Sequence, residues 1–318
     1  MRATQTTTYR SLQSFLDRTS DKLANLQLQA ATGKRINRPS DDPTAISPIL
    51  SAKTQIQTSD RYIETIESGL DKIDSADGYL DSIENTLVRI KEISIATVNG
   101  SLNPEDMRTF AAEVHQLRES LIADANAQID GKYLFSGFTE KTQPFSLNPA
   151  YDSALYDPLD PTTFPVFYNG DDGSLEYEIS PNELIQVNLN GNGLMLGDFD
   201  YDGVTDPGAF DIFALVTSLE EELLVDNPAG VEALMDPIEA AANQVRGQRS
   251  LKGNVGRRLE VARDHMEQIK IDMETFRSRF EDADILETIT EMQQQEQSFE
   301  AALNVTGKVS QLSILDYI

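Results

Sequence analysis

The sequence predicts a mainly α protein: an antiparallel long-helix bundle, with a coiled coil formed by both chain ends, that carries a small inserted β-rich domain. Three observations lead there. Apolar residues recur at alternating spacings of three and four in both halves of the chain, which paints a narrow seam along a helix. Between residues 139 and 207 that rhythm stops, and seven of the 13 prolines and nine of the 23 aromatic residues fall in this stretch. The two ends also differ in charge: residues 1–43 hold seven bases and four acids, whereas the last 38 residues hold eight acids and only Lys308. Basic and acidic seams of matching rhythm are expected to pair and bring the termini together.

Element by element, the first seam runs through Leu12, Leu16, Thr19, Leu23, Leu26 and Ala30 and stops at Gly33, a natural residue for ending a helix. Asp42 followed by Pro43 then announces a second helix by cap and first-turn proline. It carries Ile56, Ile63, Ile66, Leu70, Ile73, Leu80, Ile83, Leu87 and Ile90 toward Asn99-Gly100. Asn103-Pro104-Glu105 restarts a helix through Met107, Phe110, Val114, Leu117 and Leu121, expected to end near Gly131. In the second half, Val231 to Val245 and Val255 to Phe280 keep one rhythm, so a single helix from about 229 to about 280 is expected, with Gly247, Gly253 and Gly256 weakening its middle. A last seam holds Ile285, Ile289, Met292, Phe299 and Leu303, with Glu296 at its charged position. Within 139–207, the runs 164–169, 175–179 and 184–189 read as strands joined by Asn-, Asp- and Gly-rich turns. The chain is therefore divided into terminal coiled-coil segments at 1–43 and 281–318, a helical rod at 44–138 and 208–280, and a β-rich outer domain at 139–207. With 13 acids against Lys141, that outer domain is expected to be an exposed, strongly solvated body.

Composition closes off most chemistry. The chain of 318 residues has a formal charge of -27, which argues against nucleic acid as a partner. Without cysteine there are no disulfides, thiolate nucleophiles, Cys zinc sites or iron-sulfur clusters. His115 and His265 flank core positions of helices and read as boundary or surface residues. No P-loop, G-x-S-x-G or G-x-G-x-x-G is present; Gly191-Asn192-Gly193 reads as a turn that precedes no helix. No apolar run approaches the roughly 18 residues of a membrane span or resembles a cleaved signal peptide, so no membrane insertion is expected. Neither an enzymatic role nor a resident cofactor is expected, with calcium as the one exception to weigh. Asp198, Asp200, Asp202 and Asp206 stand at positions 1, 3, 5 and 9 of a run with Gly203 at position 6, the front of a calcium loop. Its back departs from that pattern, because position 12 is Ala209; Asp211 follows and opens a helix.

The segment Gly33-Lys34-Arg35-Ile36-Asn37-Arg38-Pro39-Ser40-Asp41-Asp42-Pro43 stops one helix, exposes three bases and starts another. It resembles the hallmark turn of the bacterial flagellin family. Gly131-Lys132-Tyr133-Leu134-Phe135-Ser136-Gly137 is similar to that family's exit into its inserted domain, and Tyr168-Asn169-Gly170-Asp171-Asp172-Gly173 resembles a hairpin of its hook-filament junction branch. The ending from Lys308 to Ile318, with Leu312 and Leu315, looks like the same branch.

The resemblance implies a non-enzymatic structural adaptor of the bacterial flagellum, joining the hook, through another hook-associated protein, to the flagellin filament. It implies export without a cleaved signal, an extracellular location, a homo-oligomeric ring and an export chaperone. It further implies that the terminal helices fold as they assemble. The expected assembly contacts are Leu12, Leu16, Leu23, Leu26, Ile285, Ile289, Met292, Phe299, Leu303, Leu312 and Leu315, with Arg35, Arg38, Asp41 and Asp42 at the joint. A filament-forming flagellin is the alternative inside the family. A cytoplasmic signalling coiled coil is the alternative outside it, although the basic turn and the insert have no account there.

Overall fold

The computed structural model describes the backbone of residues 2–100 and 103–315 and the side chains of 7, 9–100 and 103–308. Six long helices and six short strands follow in the order α1 (Arg2–Thr32), α2 (Pro43–Asn99), α3 (Pro104–Ala125), β1 (Gln128–Ile129), β2 (Lys132–Tyr133), β3 (Phe145–Leu147), β4 (Val166–Tyr168), β5 (Glu176–Ser180), β6 (Glu183–Gln186), α4 (Ile212–Leu224), α5 (Pro228–Glu281) and α6 (Ile285–Leu315). The mainly α class with a small β region is as the sequence predicts. Two compact units are present, 1–60 with 267–318 and 61–266, so α2 and α5 each contribute to both. The expected boundaries at 43 and 281 fall within the first unit.

The larger unit is a helical bundle. Leu80, Ile83, Leu87 and Ile90 of α2 share one core with Met107, Val114 and Leu121 of α3, Phe213, Val216 and Leu219 of α4, and Val231, Ile238 and Val245 of α5. Charged pairs show that α2 and α5 run antiparallel: Lys91 meets Glu239, Arg246 meets Glu84 at 2.7 Å, and Arg249 meets Asp77 at 3.0 Å. Arg249 also reaches Asp81 and Glu84. Hydrogen bonding from Arg246, opposed by burial and aided by Arg249, holds the Glu84 carboxyl below its ordinary range. The glycines of α5 do not break it, because the helix gains from tertiary packing what it lacks in propensity. On α2, Gly69 has a packing role: a Cβ there would meet Val187, Leu259 and Tyr177 at 3.2–3.3 Å.

Four expectations for this unit need correction. First, 139–207 is no detached solvated body. Its strands form two separate two-stranded antiparallel sheets, β3–β4 and β5–β6, with β1–β2 a third just ahead of it, and such ribbons cannot bury a core alone. Phe145, Phe164 and Met195 are instead buried in the bundle core, and the Phe145 ring lies 5.5 Å from Phe213. Second, the 169–173 turn does not close a hairpin, because β4 pairs backward with β3. Its Asp171 carboxylate accepts the N–H groups of Phe138 and Gly173, which ties the turn to the chain leaving β2. Third, α3 ends at Ala125, and Asp130-Gly131, both at positive φ, form the tip of the β1–β2 hairpin instead of a helix end. Fourth, Gly191-Asn192-Gly193 does lead into a short helical turn, Asn192–Leu196.

Asp211 caps α4, its Oδ1 accepting the Ala214 N–H at 3.0 Å. It is 3% exposed and its Oδ2 has no partner. Burial, opposed by the N–H groups of Ala214 and Phe213, pushes its carboxyl up to about 7. A carboxyl raised in the folded state binds a proton that the unfolded chain has lost, so its contribution is full below about pH 4 and disappears as pH rises through 7. Replacing Asp211 with Asn removes this titration. Relative to the parent, the stability of D211N in urea unfolding is expected to rise by on the order of 2–4 kcal/mol from pH 4 to pH 8; parallel curves would contradict the assignment.

Candidate assembly site

The smaller unit is built on the pairing of α1 with α6. On α1, Thr19 and Leu26 are buried and Leu12, Leu16 and Leu23 are half-buried, so the seam read from the sequence is the face that packs. On α6 the packed face is Thr288, Met292, Gln295, Phe299 and Ala302, again at spacings of four and three. Gln295 donates to the Thr19 carbonyl at 3.4 Å and Lys22 lies 3.7 Å from Glu291. The expected α6 seam holds at Met292 and Phe299 and needs correction at its other three positions. Ile285 is 51% exposed, Ile289 38% and Leu303 49%, and with Leu286 they occupy a flank beside the packed face, about 60–160° around the helix. The face that packs mixes Met292 and Phe299 with Thr288, Gln295 and Ala302, so it follows the four-three spacing of these five positions and not hydrophobicity alone. Leu312 and Leu315 lie outside the described side chains.

The joint between helices is more tightly built. After Thr32 the chain turns at Gly33, whose φ of +69° suits a residue without a side chain and whose N–H donates to the Gln29 carbonyl. The segment then runs beside the α5–α6 turn. The Arg35 N–H donates to the Glu281 carbonyl at 2.7 Å, the Ala283 N–H donates to the Gly33 carbonyl at 2.9 Å, and Lys34 and Asp282 form an antiparallel bridge. Ile36 fills a small apolar cluster with Ala45 and Ile49, against Ile46 and Phe280.

The four polar residues expected at the joint have distinct tasks. Asp41 Oδ2 accepts the N–H groups of Asn37 and Arg38, at 3.0 and 2.8 Å, and so shapes the turn. Asp42 Oδ1 accepts from the Thr44 hydroxyl at 2.6 Å and from the Thr44 and Ala45 N–H groups, capping α2. The Thr44 hydroxyl bond is the first cause that holds this carboxyl low. Arg35 donates to the Phe280 carbonyl at 2.9 Å and lies 3.6 Å from Asp42. Arg38 is exposed, and its guanidinium has no ion-pair partner among the described residues.

Glu281 is the residue that the sequence pattern does not single out. It is 4% exposed, and its Oε1 accepts from Lys34 at 3.0 Å and Lys53 at 2.8 Å, while Arg277 lies 3.5 Å from Oε2. Burial pushes its carboxyl up, but the Lys53 and Lys34 hydrogen bonds outweigh that and hold it below the ordinary range. The available clue is that Lys34 and Lys53 lack an acid at helical spacing on their own elements, so their counter-charge has to come from afar.

A carboxyl lowered in the folded state contributes stability above its ordinary pKa and loses that contribution as pH falls through the lowered value. Glu281→Gln is expected to lower local stability at the joint by about 1–3 kcal/mol at pH 7, the two lysines being half exposed. Amide hydrogen exchange over 30–50 and 275–290 measures this, and the gap is expected to close below pH 4; a gap independent of pH would contradict the ion-pair account.

With this geometry in place, comparisons with known proteins are specific. Residues 4–140 match the bacterial flagellin N-terminal helical region and residues 235–318 the bacterial flagellin C-terminal helical region. Flagellar hook-associated protein 3 of Escherichia coli K12 is 31% identical over 120 residues, 37% of this chain, and the aligned stretch spans 38% of that relative's length. A flagellin of Listeria innocua is 22% identical over 283 residues, covering 88% of this chain and 85% of that one. The crystal structure of the flagellar junction protein FlgL from Legionella pneumophila shares the fold, with a TM-score of 0.59 at 18% identity over 74% of this chain and all of that one. The two matched helical regions lie at the two ends of the chain and supply α1, α6 and the turn from 33 to 43 that joins the terminal unit; the chain belongs to the bacterial flagellin family.

Proposed function

We propose that this chain is a structural adaptor of the flagellum at the junction between hook and filament, working by assembly and not by catalysis. The observation that carries this reading is the exposed apolar flank of α6. Ile285, Leu286, Ile289 and Leu303 stand beside a face already occupied by α1. Covering one large aliphatic side chain is worth about 1.5–3 kcal/mol, so four provide a substantial drive for neighbouring subunits to complete the pair. Arg38, exposed at the joint, offers a charge for an acidic neighbour. In this reading the chain leaves the cell unfolded through the flagellar export channel, with a chaperone covering the same terminal seams. Outside the cell it forms a ring whose partners are a second hook-associated protein on the hook side and flagellin on the filament side. Its lack of cysteine suits refolding outside the cell, where a disulfide could otherwise misform.

The names of the Escherichia coli and Legionella proteins support the junction role. The long alignment with the Listeria flagellin favours a second reading, a filament-forming flagellin. The two differ in where the chain resides along a flagellum. An affinity label in the exposed 157–160 turn, followed by electron microscopy of native flagella, is expected to mark the hook-filament boundary alone; label along the filament would support the second reading. Two charge reversals separate folding from assembly. Arg38→Glu is expected to reduce incorporation into flagella at least tenfold while the circular dichroism of the free chain stays unchanged. Arg35→Glu is expected to disturb the free chain as well, because Arg35 holds the Phe280 carbonyl.

A further inference from the structure

Where the chain leaves the β insert, Asp198, Asp200 and Asp206 each bring a carboxylate oxygen to within 4.8 Å of the other two. They occupy positions 1, 3 and 9 of one loop, and the chain between them wraps through Tyr201 at φ +62° and Gly203 at φ +92°. Asp202, expected as a fourth ligand, stays outside the convergent set, its Oδ1 accepting the Val204 N–H at 3.0 Å. Asp211, the acid beyond position 12, is engaged as the cap of α4. The loop therefore closes on its ninth residue.

An acidic turn can exist without any ion, and what distinguishes this one is Asp198. It is 2% exposed. Its Oδ2 accepts from Asn192 Nδ2 at 2.6 Å and from the Gly203 N–H at 3.0 Å, which fixes the carboxylate plane. Its Oδ1 is buried and has no hydrogen-bond partner. A buried carboxylate with one oxygen bare, on a residue that converges with two further carboxylates, is costly unless a cation faces it.

We propose that Asp198, Asp200 and Asp206 hold a Ca²⁺ ion that fastens the 198–206 loop. Calcium binds oxygen at about 2.3–2.6 Å, so two ligands on one ion can lie up to about 5 Å apart, a limit that oxygens within 4.8 Å of one another meet; a loop that leaves positions to water and carbonyls suits its flexible coordination better than magnesium's strict octahedron. The remaining coordination positions fall to water and backbone carbonyls. The loop is already tied to its surroundings: the Thr205 N–H donates to the Pro158 carbonyl and its hydroxyl to the Leu196 carbonyl, at 3.0 and 2.9 Å, while the Asp206 N–H donates to the Gly197 carbonyl at 2.9 Å. An ion there would fix the far end of the insert to the start of the segment leading into α4. This inference is independent of the assembly reading.

The test is calorimetric titration of the full chain, stripped with chelator, with Ca²⁺ and in parallel with Mg²⁺. One Ca²⁺ site with a dissociation constant between about 10⁻⁵ and 10⁻³ M is expected, together with a rise in Tm of about 3–6 °C at saturation and protection of 198–206 from proteolysis. Asp200→Asn, at an exposed position, is expected to keep the fold by circular dichroism and to weaken binding at least tenfold. Asp172→Asn removes one acid elsewhere in the insert and is expected to leave binding within twofold. Absence of heat and of any Tm shift with Ca²⁺ overturns the proposal. So does an equal response to Mg²⁺, or an equal loss in both variants, since either would mean diffuse screening of an acidic surface.

Discussion

The terminal unit depends on one buried carboxylate. Glu281 sits where the α5–α6 turn meets the α1–α2 turn, and it is paid for in desolvation by Lys34 and Lys53, which converge on a single oxygen. Its own backbone carbonyl receives the Arg35 N–H. With the two turns stitched side by side, α1 and α6 leave the joint as neighbours, and the pairing of their seams follows from that start. The charges further along matter less. Lys22 and Glu291 are 58% and 45% exposed, and an ion pair of that kind contributes at most about 1 kcal/mol. The opposite charges of the two ends are thus effective at the joint, where the Glu281 carboxylate is buried, more than along the helices.

The insert uses its charge differently. A segment with 13 acids and one base looks like a surface that only repels. Many of these acids instead organise turns. Asp152, Asp157 and Asp160 each accept an N–H two residues on, Asp171 ties the chain after β2 to the chain after β4, and Asp206 accepts the Phe199 N–H. Such Asx turns replace the sheet hydrogen bonds that very short strands cannot supply. The aromatic side chains of Phe145, Tyr156, Phe164 and Tyr168 point the other way, into the bundle core. The insert is therefore acidic outside and continuous with the helical core inside.

The helices were legible in the sequence because each rests on local signals. Asp42-Pro43, Asn103-Pro104 and Gly33 act within one turn of themselves, and the spacing of Leu12 to Ala30 repeats often enough to fix a face. The strand partners were not legible. The run from 166 to 168 reads as a strand whether it pairs forward to β5 or backward to β3, and nothing local to it marks the pairing with β3 that the fold adopts. On α6 the periodicity gave a helix and two residues of its packed face, Met292 and Phe299, while Ile285, Ile289 and Leu303 stand beside that face and the polar or small Thr288, Gln295 and Ala302 on it carry no hydrophobic signal. Glu281 and Asp198 were missed or only half seen for a common reason. Their importance comes from burial, which a sequence pattern does not report.

In the proposed assembly, the α1–α6 pair keeps one flank open for neighbouring subunits. The absence of cysteine makes a direct measurement possible. Leu303→Cys on the α6 flank and Phe138→Cys just ahead of the insert, made separately, can each be labelled with a maleimide in the free chain and in isolated flagella. The account predicts rapid labelling at both positions in the free chain, and in flagella a loss of labelling at 303 with retention at 138. Equal reactivity at 303 in the free and assembled states would contradict it.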